Sequence, residues 1–222
     1  MSNQITIRFS ISSLLKVEIP IDEKIHHIGE YKQRRSGDII LPLGGAVMCN
    51  TTAKSELEQM FNAFDFEEAK GGFFNPKYDL RFKVKNPNDN TIERVLEWYA
   101  NSNHVESPEQ AAWREFREEM EFIRFNDRPY FSLNHIGEQD ENQDSRREGF
   151  IGSNTYRLFH IVHIKDSLLG RLNQNKGLSA VRRYIEKNRT NLRLVTESEI
   201  LNEYSDIHGI AVADHFEHLL KY

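Results

Sequence analysis

Apolar residues recur along the chain at two spacings, and these spacings predict a mixture of strands and helices. Residues 5–19 are rich in Ile, Leu and Val with partial alternation, which predicts one or two strands broken near Ser12 and Ser13. Residues 25–33 predict another strand, and residues 34–37 a turn. Further strand-like apolar segments are residues 39–49, 78–85, 130–136, 155–164 and 192–195.

Helices are predicted where apolar residues recur three and four positions apart. The predicted helices cover residues 54–69, 92–99, 107–120, 178–188 and 211–221. The strongly polar sequence EQDENQDSRREG, residues 138–149, predicts a solvent-exposed hairpin loop between two strands. Strands and helices mixed in this way indicate an α/β or α+β fold, a sandwich of layers.

The helix predicted over residues 107–120 has clear start signals. Ser107 suits the N-cap position, Pro108 the first helical position, and Gln110 the position from which a capping box is completed. Three residues four positions apart then form an apolar stripe, namely Ala112, Phe116 and Met120. We therefore expect this helix to pack one face against a core.

Three glutamates of the same helix share a second face, roughly opposite the apolar stripe. Glu115, Glu118 and Glu119 are spaced i, i+3 and i+4, so they are neighbours on the helix surface. Like charges at this spacing repel in water, and a bound cation reverses that cost. A Mg²⁺ site and a merely solvated surface both fit these residues. Arg114 lies one turn before Glu118, and Glu106 can reach back towards Arg114.

Paired glycines interrupt the apolar segment at residues 39–49. Gly44 and Gly45 predict a bulge or a close backbone approach, and a simple hairpin bend explains them equally well. Cys49 follows directly, and its apolar surroundings favour a buried small hydrophobe over a nucleophile.

Composition narrows the class of protein. The 222 residues are 38% hydrophobic and 28% charged, which suffices for a core in one domain, with or without an insertion. The net charge of −5 argues against a surface that coats nucleic acid. One cysteine forms no intrachain disulfide, and no segment approaches the roughly 18 apolar residues of a membrane span. We expect a cytoplasmic protein without a membrane partner.

The glutamate helix resembles the Nudix box, G-x5-E-x7-R-E-U-x-E-E-x-G-U, in which U is a bulky apolar residue. Glu106 matches the isolated acid, and after seven residues the segment 114–119 reads Arg-Glu-Phe-Arg-Glu-Glu. Phe122 takes the final apolar place. Two positions depart from the pattern, because Ala100 stands where the first glycine belongs and Glu121 where the last one does.

The resemblance extends beyond the box. Residues 43–47, Leu-Gly-Gly-Ala-Val, look like the Gly-Gly strand that precedes the box in this family. Residues 78–82 and 96–99 are similar to the subgroup found beside bacterial second-messenger nucleotide synthetases, the SMODS-associated NUDIX domain. The implied fold is a Nudix α/β/α sandwich around a mixed sheet, a single domain over residues 1–222. A helix-strand-helix element is inserted at about 50–99, and residues 165–190 are a second candidate insertion.

The resemblance implies a hydrolase that uses Mg²⁺ or Mn²⁺ to activate water against the pyrophosphate of a nucleoside diphosphate linked to another group. Glu118 and Glu119 would be the principal metal ligands, and Glu115 a ligand or a water-orienting base. Arg114 would orient Glu118, and Glu106 would steady the loop. The subgroup suggests bacterial nucleotide signalling or anti-phage defence. A non-catalytic nucleotide sensor on the same fold is the alternative.

Several assignments stay open at the level of sequence. A further base is expected from a distant loop, with Glu148, Glu186 and Glu197 as candidates. Arg34 and Arg35, with Gly44 and Gly45, are candidate substrate-binding residues. The basic residues between 171 and 189 fit phosphate contacts, but a solvated helix fits them better. Zinc is rejected, because the paired histidines lack further ligands at suitable spacing. A capped RNA end is the one nucleic-acid substrate considered, and a homodimer is a candidate assembly.

Overall fold

The computed structural model describes residues 6–21, 24–69, 77–120, 131–143, 152–164, 185 and 191–221, and the fold in them is mixed α+β. The strands are β1 (Thr6–Ile21), β2 (Lys24–Arg34), β3 (Gly37–Ala46), β4 (Met48–Asn50), β5 (Ala63–Phe64), β6 (Lys77–Asp79), β7 (Arg81–Lys85), β8 (Phe131–Gln143), β9 (Gly152–Ile164), β10 (Leu192–Thr196), β11 (Tyr204–Ser205) and β12 (Ile210–Val212). The helices are α1 (Thr51–Phe61), α2 (Thr91–Asn101), α3 (Pro108–Glu119), α4 (Glu197–Leu201) and α5 (His215–Leu220).

The chain forms two compact units. The first unit comprises residues 1–13, 45–114 and 138–158, and the second comprises residues 14–44, 115–137 and 159–222. The proposed insertion at 50–99 lies entirely in the first unit, whereas α3 is divided between the units after Arg114. That the chain is a single domain stays a prediction.

The first unit is built on the N-terminal half of β1. Thr6 to Ser10 pair antiparallel with β7, and β5 pairs with the other edge of β7. A second small sheet joins β4 to β6. The core between these strands and helices α1 and α2 includes Phe9, Leu57, Phe82, Trp98 and Tyr99. Cys49 is buried in the same core, which confirms its predicted burial, and burial raises the pKa of its thiol to about 12.

The second unit contains a mixed sheet. Strand β2 pairs antiparallel with β1, β3 and β10, whereas β12 lies parallel to β3. The hydrophobic core of this unit includes Ile40, Phe159, Val195, Val212 and Phe216. At Gly29 the backbone of β2 lies very close to the Ile40 side chain of β3, since a Cβ atom there would lie 2.5 Å from Ile40 Cγ2.

Most predicted strands and helices exist, but several bounds differ. Strand β1 is continuous through Ser12 and Ser13, because Ser13 is fully buried in an alternating pattern. Helix α1 begins earlier than predicted, since the Asn50 side chain caps it, and it ends at Phe61 because Asn62 takes a left-handed conformation with φ 53°. The predicted helix 211–221 is divided into β12 and the shorter α5. The predicted helix 178–188 lies outside the described residues, apart from Ile185.

The hairpin loop predicted over residues 138–149 is wrong for residues 138–143, because these residues continue strand β8. Strand β9 pairs with β8 and supplies polar partners. Asn154 Nδ2 donates to Asp140 Oδ1 at 2.5 Å, and Arg157 forms an ion pair with Glu141. The strand is stabilised by this pairing, which a pattern of apolar residues does not reveal.

Candidate active site

The start of α3 follows the predicted capping box. Ser107 Oγ accepts from the backbone N–H of Gln110 at 3.2 Å, and Gln110 Oε1 accepts from the backbone N–H of Ser107 at 2.9 Å. These two bonds satisfy donors that the first helical turn would otherwise leave unpaired. The register of every later residue of the box is therefore fixed from this point.

Two buried charges are paired next to this helix start. Glu106 is 1% exposed and Arg114 is 5% exposed. Arg114 Nε donates to Glu106 Oε1 at 2.9 Å, and its Nη2 donates to Oε2 at 2.9 Å, so the contact is bidentate. The predicted contact between these two residues is confirmed. Whether Arg114 also orients Glu118 stays a prediction.

The same pair holds the end of the Gly-Gly strand. Arg114 Nη2 donates to the carbonyl oxygen of Ala46 at 2.7 Å, and the Met48 N–H donates to Glu106 Oε2 at 3.0 Å. The Glu106 N–H donates in return to the Met48 carbonyl at 2.8 Å. Although residues 50–99 separate them in sequence, the Gly-Gly strand and the box are joined by this network. Gly44, with φ 144°, has a backbone conformation that favours glycine.

The three helix glutamates differ in exposure. Glu115 is 6% exposed, Glu119 is half-buried and Glu118 is exposed, so their shared face runs from the interior to solvent. Burial raises the pKa of Glu119 to about 7, and the negative charge of Glu30 contributes next, with Lys32 acting in the opposite direction. The charges of Glu115 and Glu118 add smaller contributions in the same sense as Glu30.

Strand β2 supplies two residues of this region that sequence reasoning missed. Glu30 is 9% exposed, and Lys32 Nζ lies 2.7 Å from Glu30 Oε2. The signal in the sequence is a single acid following the apolar residues of a strand, where a buried carboxylate is rare without a partner. Its proximity to Glu119 is set by tertiary packing and has no counterpart in the linear spacing.

The donor set suits a hard divalent cation that retains water. In the ranges that the structure describes, no three acidic, histidine or cysteine side chains converge into a complete metal cage. Mg²⁺ commonly takes only one or two protein carboxylates and completes its octahedron with waters and substrate phosphates. The carboxylates of Glu118 and Glu119 fit that requirement, with Glu30 and Glu115 adding negative charge nearby.

Two residues depart from the box pattern, Ala100 and Glu121, and the structure describes the first of them. Ala100 lies within helix α2, exposed and helical, so a glycine is not required there. The conformation that favours glycine occurs at Gly44 instead. Glu121 lies outside the described residues, as do the candidate bases Glu148 and Glu186. Glu197 is the exposed first residue of α4.

Among the predicted substrate-binding residues of the second unit, Arg34 and Arg35 lie apart from Gly44. Arg34 pairs with Gly37 at the tip of the β2–β3 hairpin, and Arg35 is exposed in the turn. Gly44 lies seven residues further along β3 than Gly37, about 20 Å away at the usual rise per residue. Gly45 belongs to the first unit. The basic segment 171–189 lies outside the described residues, Ile185 apart.

Three comparisons with known proteins were made, and one of them identifies the family of this chain. Comparison with curated proteins finds no match. Two solved structures are similar to this chain. The first is the Ap4A hydrolase of C. elegans, with 10% sequence identity and a TM-score of 0.38, and the match covers 96% of this chain and 94% of the hydrolase. A mutT/nudix family protein from Listeria innocua, at 15% identity and TM-score 0.41, covers 96% and 90% respectively. In the described residues no helix is long and apolar enough to cross a membrane. A sequence model of the SMODS-associated NUDIX domain matches residues 6–220, nearly the whole chain, and the chain therefore belongs to that family.

Proposed function

We propose that this protein is a divalent-metal-dependent hydrolase that cleaves the pyrophosphate bond of a nucleoside diphosphate linked to another group. One observation carries the proposal: Glu119 lies within the electrostatic influence of Glu30, Glu115 and Glu118, so four carboxylates belong to one region of the second unit. Carboxylates brought together in this way raise one another's pKa, and a divalent cation bound among them would lower it. Membership of the family supports this class of reaction.

Each residue has a physical role in the proposal. Glu118 and Glu119 would hold Mg²⁺ or Mn²⁺, because they are more accessible than Glu115, the third glutamate of the box helix. When bound, the cation would neutralise phosphate charge and lower the pKa of a bound water. Buried Glu115 would orient that water or add a third oxygen. Glu106 and Arg114 keep the helix start in register with the Gly-Gly strand, and so preserve the positions of the ligands.

The biological setting of the proposal rests on the family. The name of the family associates it with second-messenger nucleotide synthetases. This association favours a role in bacterial nucleotide signalling or anti-phage defence in the cytoplasm. The substrate would be a small nucleotide.

A non-catalytic nucleotide sensor is the second candidate. Its support is that both glycines of the box pattern are missing, since Ala100 and Glu121 stand in their places. The two candidates differ in one measurable property, since a sensor binds nucleotide without turnover.

The experiment compares wild type with Glu118→Gln on a panel of pyrophosphate-linked nucleotides with Mg²⁺ or Mn²⁺, and products are identified by mass. Loss of one preorganised electrostatic group typically lowers the rate on the order of 10²–10³-fold, and we expect a loss of that size. Nucleotide binding should change much less. Glu109→Gln is the matched control, because it removes one charge from the first turn of the same helix.

Two results would contradict the enzyme. Wild type that hydrolyses no member of the panel would favour the sensor. Turnover that survives Glu118→Gln at the wild-type rate would show that the helix carboxylates are not the catalytic group.

A further inference from the structure

The proposed hydrolysis gives no role to Lys32, a basic residue of strand β2. The Lys32 side chain is 44% exposed, whereas the Glu30 side chain is only 11% exposed, and Lys32 Nζ lies 2.7 Å from Glu30 Oε2. A mostly buried carboxylate therefore holds an ammonium group that is open to solvent.

The alternation of side chains shows from which face of the sheet Lys32 projects. Gly29 faces helix α5, because a Cβ atom there would lie 2.8 Å from Phe216 Cζ. Successive side chains of a strand point to opposite faces, so Glu30 and Lys32 project from the face opposite α5. On that face Glu30 lies opposite Leu192 of β10, which is buried. Further elements of the chain must therefore cover this face.

Helix α3 brings a buried stripe to the same unit. Its C-terminal part belongs to the second unit, where Phe116 is fully buried and Met120 is 2% exposed. Glu119 is half-buried and directly precedes Met120, so it lies at the border of the stripe. The charges of Glu30 and Lys32 both act on Glu119, so α3 packs on the face from which this pair projects.

The ammonium group of Lys32 has donors available for a ligand. A lysine ammonium carries three N–H donors. Within the described ranges its partner is Glu30, which takes one of them. Because the side chain is 44% exposed, the other two donors are accessible from solvent.

Other basic residues are placed less well for a substrate phosphate. Arg34 and Arg35 lie at the tip of the β2–β3 hairpin. Arg114 is 5% exposed, and its guanidinium group donates to Glu106 and to the Ala46 carbonyl.

A pyrophosphate-linked substrate would bring negative charge towards carboxylates that repel it. A nearby ammonium offsets this repulsion, and hydrogen bonds from an ammonium to phosphate oxygens are among the strong ones because both partners are charged. Lysine acts in such contacts as a compact point charge on a flexible stem.

We propose that Lys32 is a phosphate-binding residue of this site, whose ammonium donates to a non-bridging phosphate oxygen of the substrate while Glu30 holds it in place. The inference rests on the proposed function for the class of substrate. Its test uses binding alone, so it does not depend on turnover.

The probe is methylenediphosphonate, a pyrophosphate analogue in which a methylene group replaces the bridging oxygen and prevents hydrolysis. Calorimetric titration in Mg²⁺ compares wild type with Glu30→Gln/Lys32→Gln. This double variant removes one charge of each sign, so the net charge is unchanged and no mostly buried carboxylate is left unpaired. We expect a Kd on the order of 0.1–1 mM for wild type, given the size of the ligand. The double variant should bind about tenfold more weakly or worse, the scale of one lost hydrogen bond to a charged group.

Two single variants provide a second comparison, which decides the matter if the double variant does not fold. Lys32→Gln and Lys24→Gln each remove one positive charge from β2, and Lys24 is exposed about 26 Å from Lys32 at the usual rise per residue. Lys32→Gln should weaken binding about tenfold or more, and Lys24→Gln should leave the Kd unchanged. Urea unfolding of each variant checks that it is folded.

Two outcomes would overturn the proposal. Equal affinity of wild type and the double variant would show that Lys32 only neutralises Glu30. Absence of binding to wild type at about 10 mM methylenediphosphonate, well above the expected Kd, would show that the site holds no phosphate. Failure of the proposed hydrolysis is a separate result, because a protein that cleaves no nucleotide but binds the diphosphonate through Lys32 supports this inference and contradicts the enzyme.

Discussion

Glu106 and Arg114 show how a buried charge pair is tolerated in this protein. Removing two charges from water is expensive, and their attraction repays that cost only when the remaining donors and acceptors are satisfied. Here the Glu106 carboxylate also accepts from the Met48 N–H, and Arg114 also donates to the Ala46 carbonyl. The pair is therefore a positioning element between strand and helix, and removing one member would leave the other unpaired.

Arg114→Gln should lower the free energy of unfolding by about 3–5 kcal/mol, the usual cost of breaking a buried pair from one side. The measurement is urea unfolding at neutral pH. Arg8→Gln is the control, because Arg8 pairs with Glu67 at the surface, where such pairs contribute about 0–1 kcal/mol. Similar losses of unfolding free energy in both variants would show that the buried pair contributes no more to stability than the surface pair.

Ala100 is the residue for which sequence and structure give opposite expectations. The box pattern places a glycine there, whereas the structure places Ala100 in the last turn of α2. Ala100→Gly should therefore lower stability by about 0.5–1 kcal/mol, because glycine loses more backbone freedom in a helix. Urea unfolding and turnover are measured together. A gain in turnover with unchanged stability would restore the sequence-based assignment.

At the scale of elements, local capping decides where the short segments begin and end. Helix α4 has five residues, too few for intrinsic helix stability, and it depends on a complete capping box between Thr196 and Glu199. Glu199 also accepts from Ser205 Oγ at 2.6 Å, which joins the helix to β11. Burial raises the pKa of Glu199, but the hydrogen bonds from Ser205 and Thr196 outweigh burial, and the pKa lies below its ordinary value of 4.5.

This lowered pKa gives a stability contribution with a defined sign. A carboxyl whose folded pKa is depressed contributes stability above its ordinary pKa, and the contribution is lost as pH falls through the folded value. Glu199→Gln should lower the free energy of unfolding by about 1–3 kcal/mol at neutral pH, and the difference from wild type should shrink below about pH 4. Denaturant titrations from neutral to acid pH measure it, with Glu203→Gln, an exposed acid, as control. A difference that is constant with pH would contradict the assignment.

At the scale of the whole molecule, a cation that binds only the folded state raises its stability by mass action. At a concentration about 100 times the Kd, this linkage amounts to about 2.7 kcal/mol. The net charge of −5 also attracts cations without a specific site, so the charge must be matched in the comparison.

Mn²⁺ should raise the unfolding temperature of wild type and have little effect on the double variant Glu118→Gln/Glu119→Gln. The matched control is Glu93→Gln/Glu109→Gln, which removes the same charge from exposed positions of α2 and α3. Thermal unfolding over a Mn²⁺ titration is the measurement. Equal shifts in all three proteins would indicate a nonspecific charge effect.

The sequence by itself determined the start of α3, the family, and the buried character of Cys49. These depend on neighbours within one or two helical turns or on a fixed spacing, so the pattern contains the information. Ser107 and Gln110, for example, form the predicted capping box with the predicted partners.

Only the tertiary structure decided which distant residues meet. Glu30 and Lys32 come from a strand far from the box, and their effect on Glu119 requires β2 to pack near α3. A cavity of about 470 Å³ is lined by Tyr99 of α2, Glu138 of β8 and Tyr156 of β9, so it exists only because these three elements pack together. The polar end of β8 is a strand because Asn154 and Arg157 of β9 pair with its residues. Interactions of this kind join residues that are remote in sequence, so they contribute to the free energy only after the chain has folded.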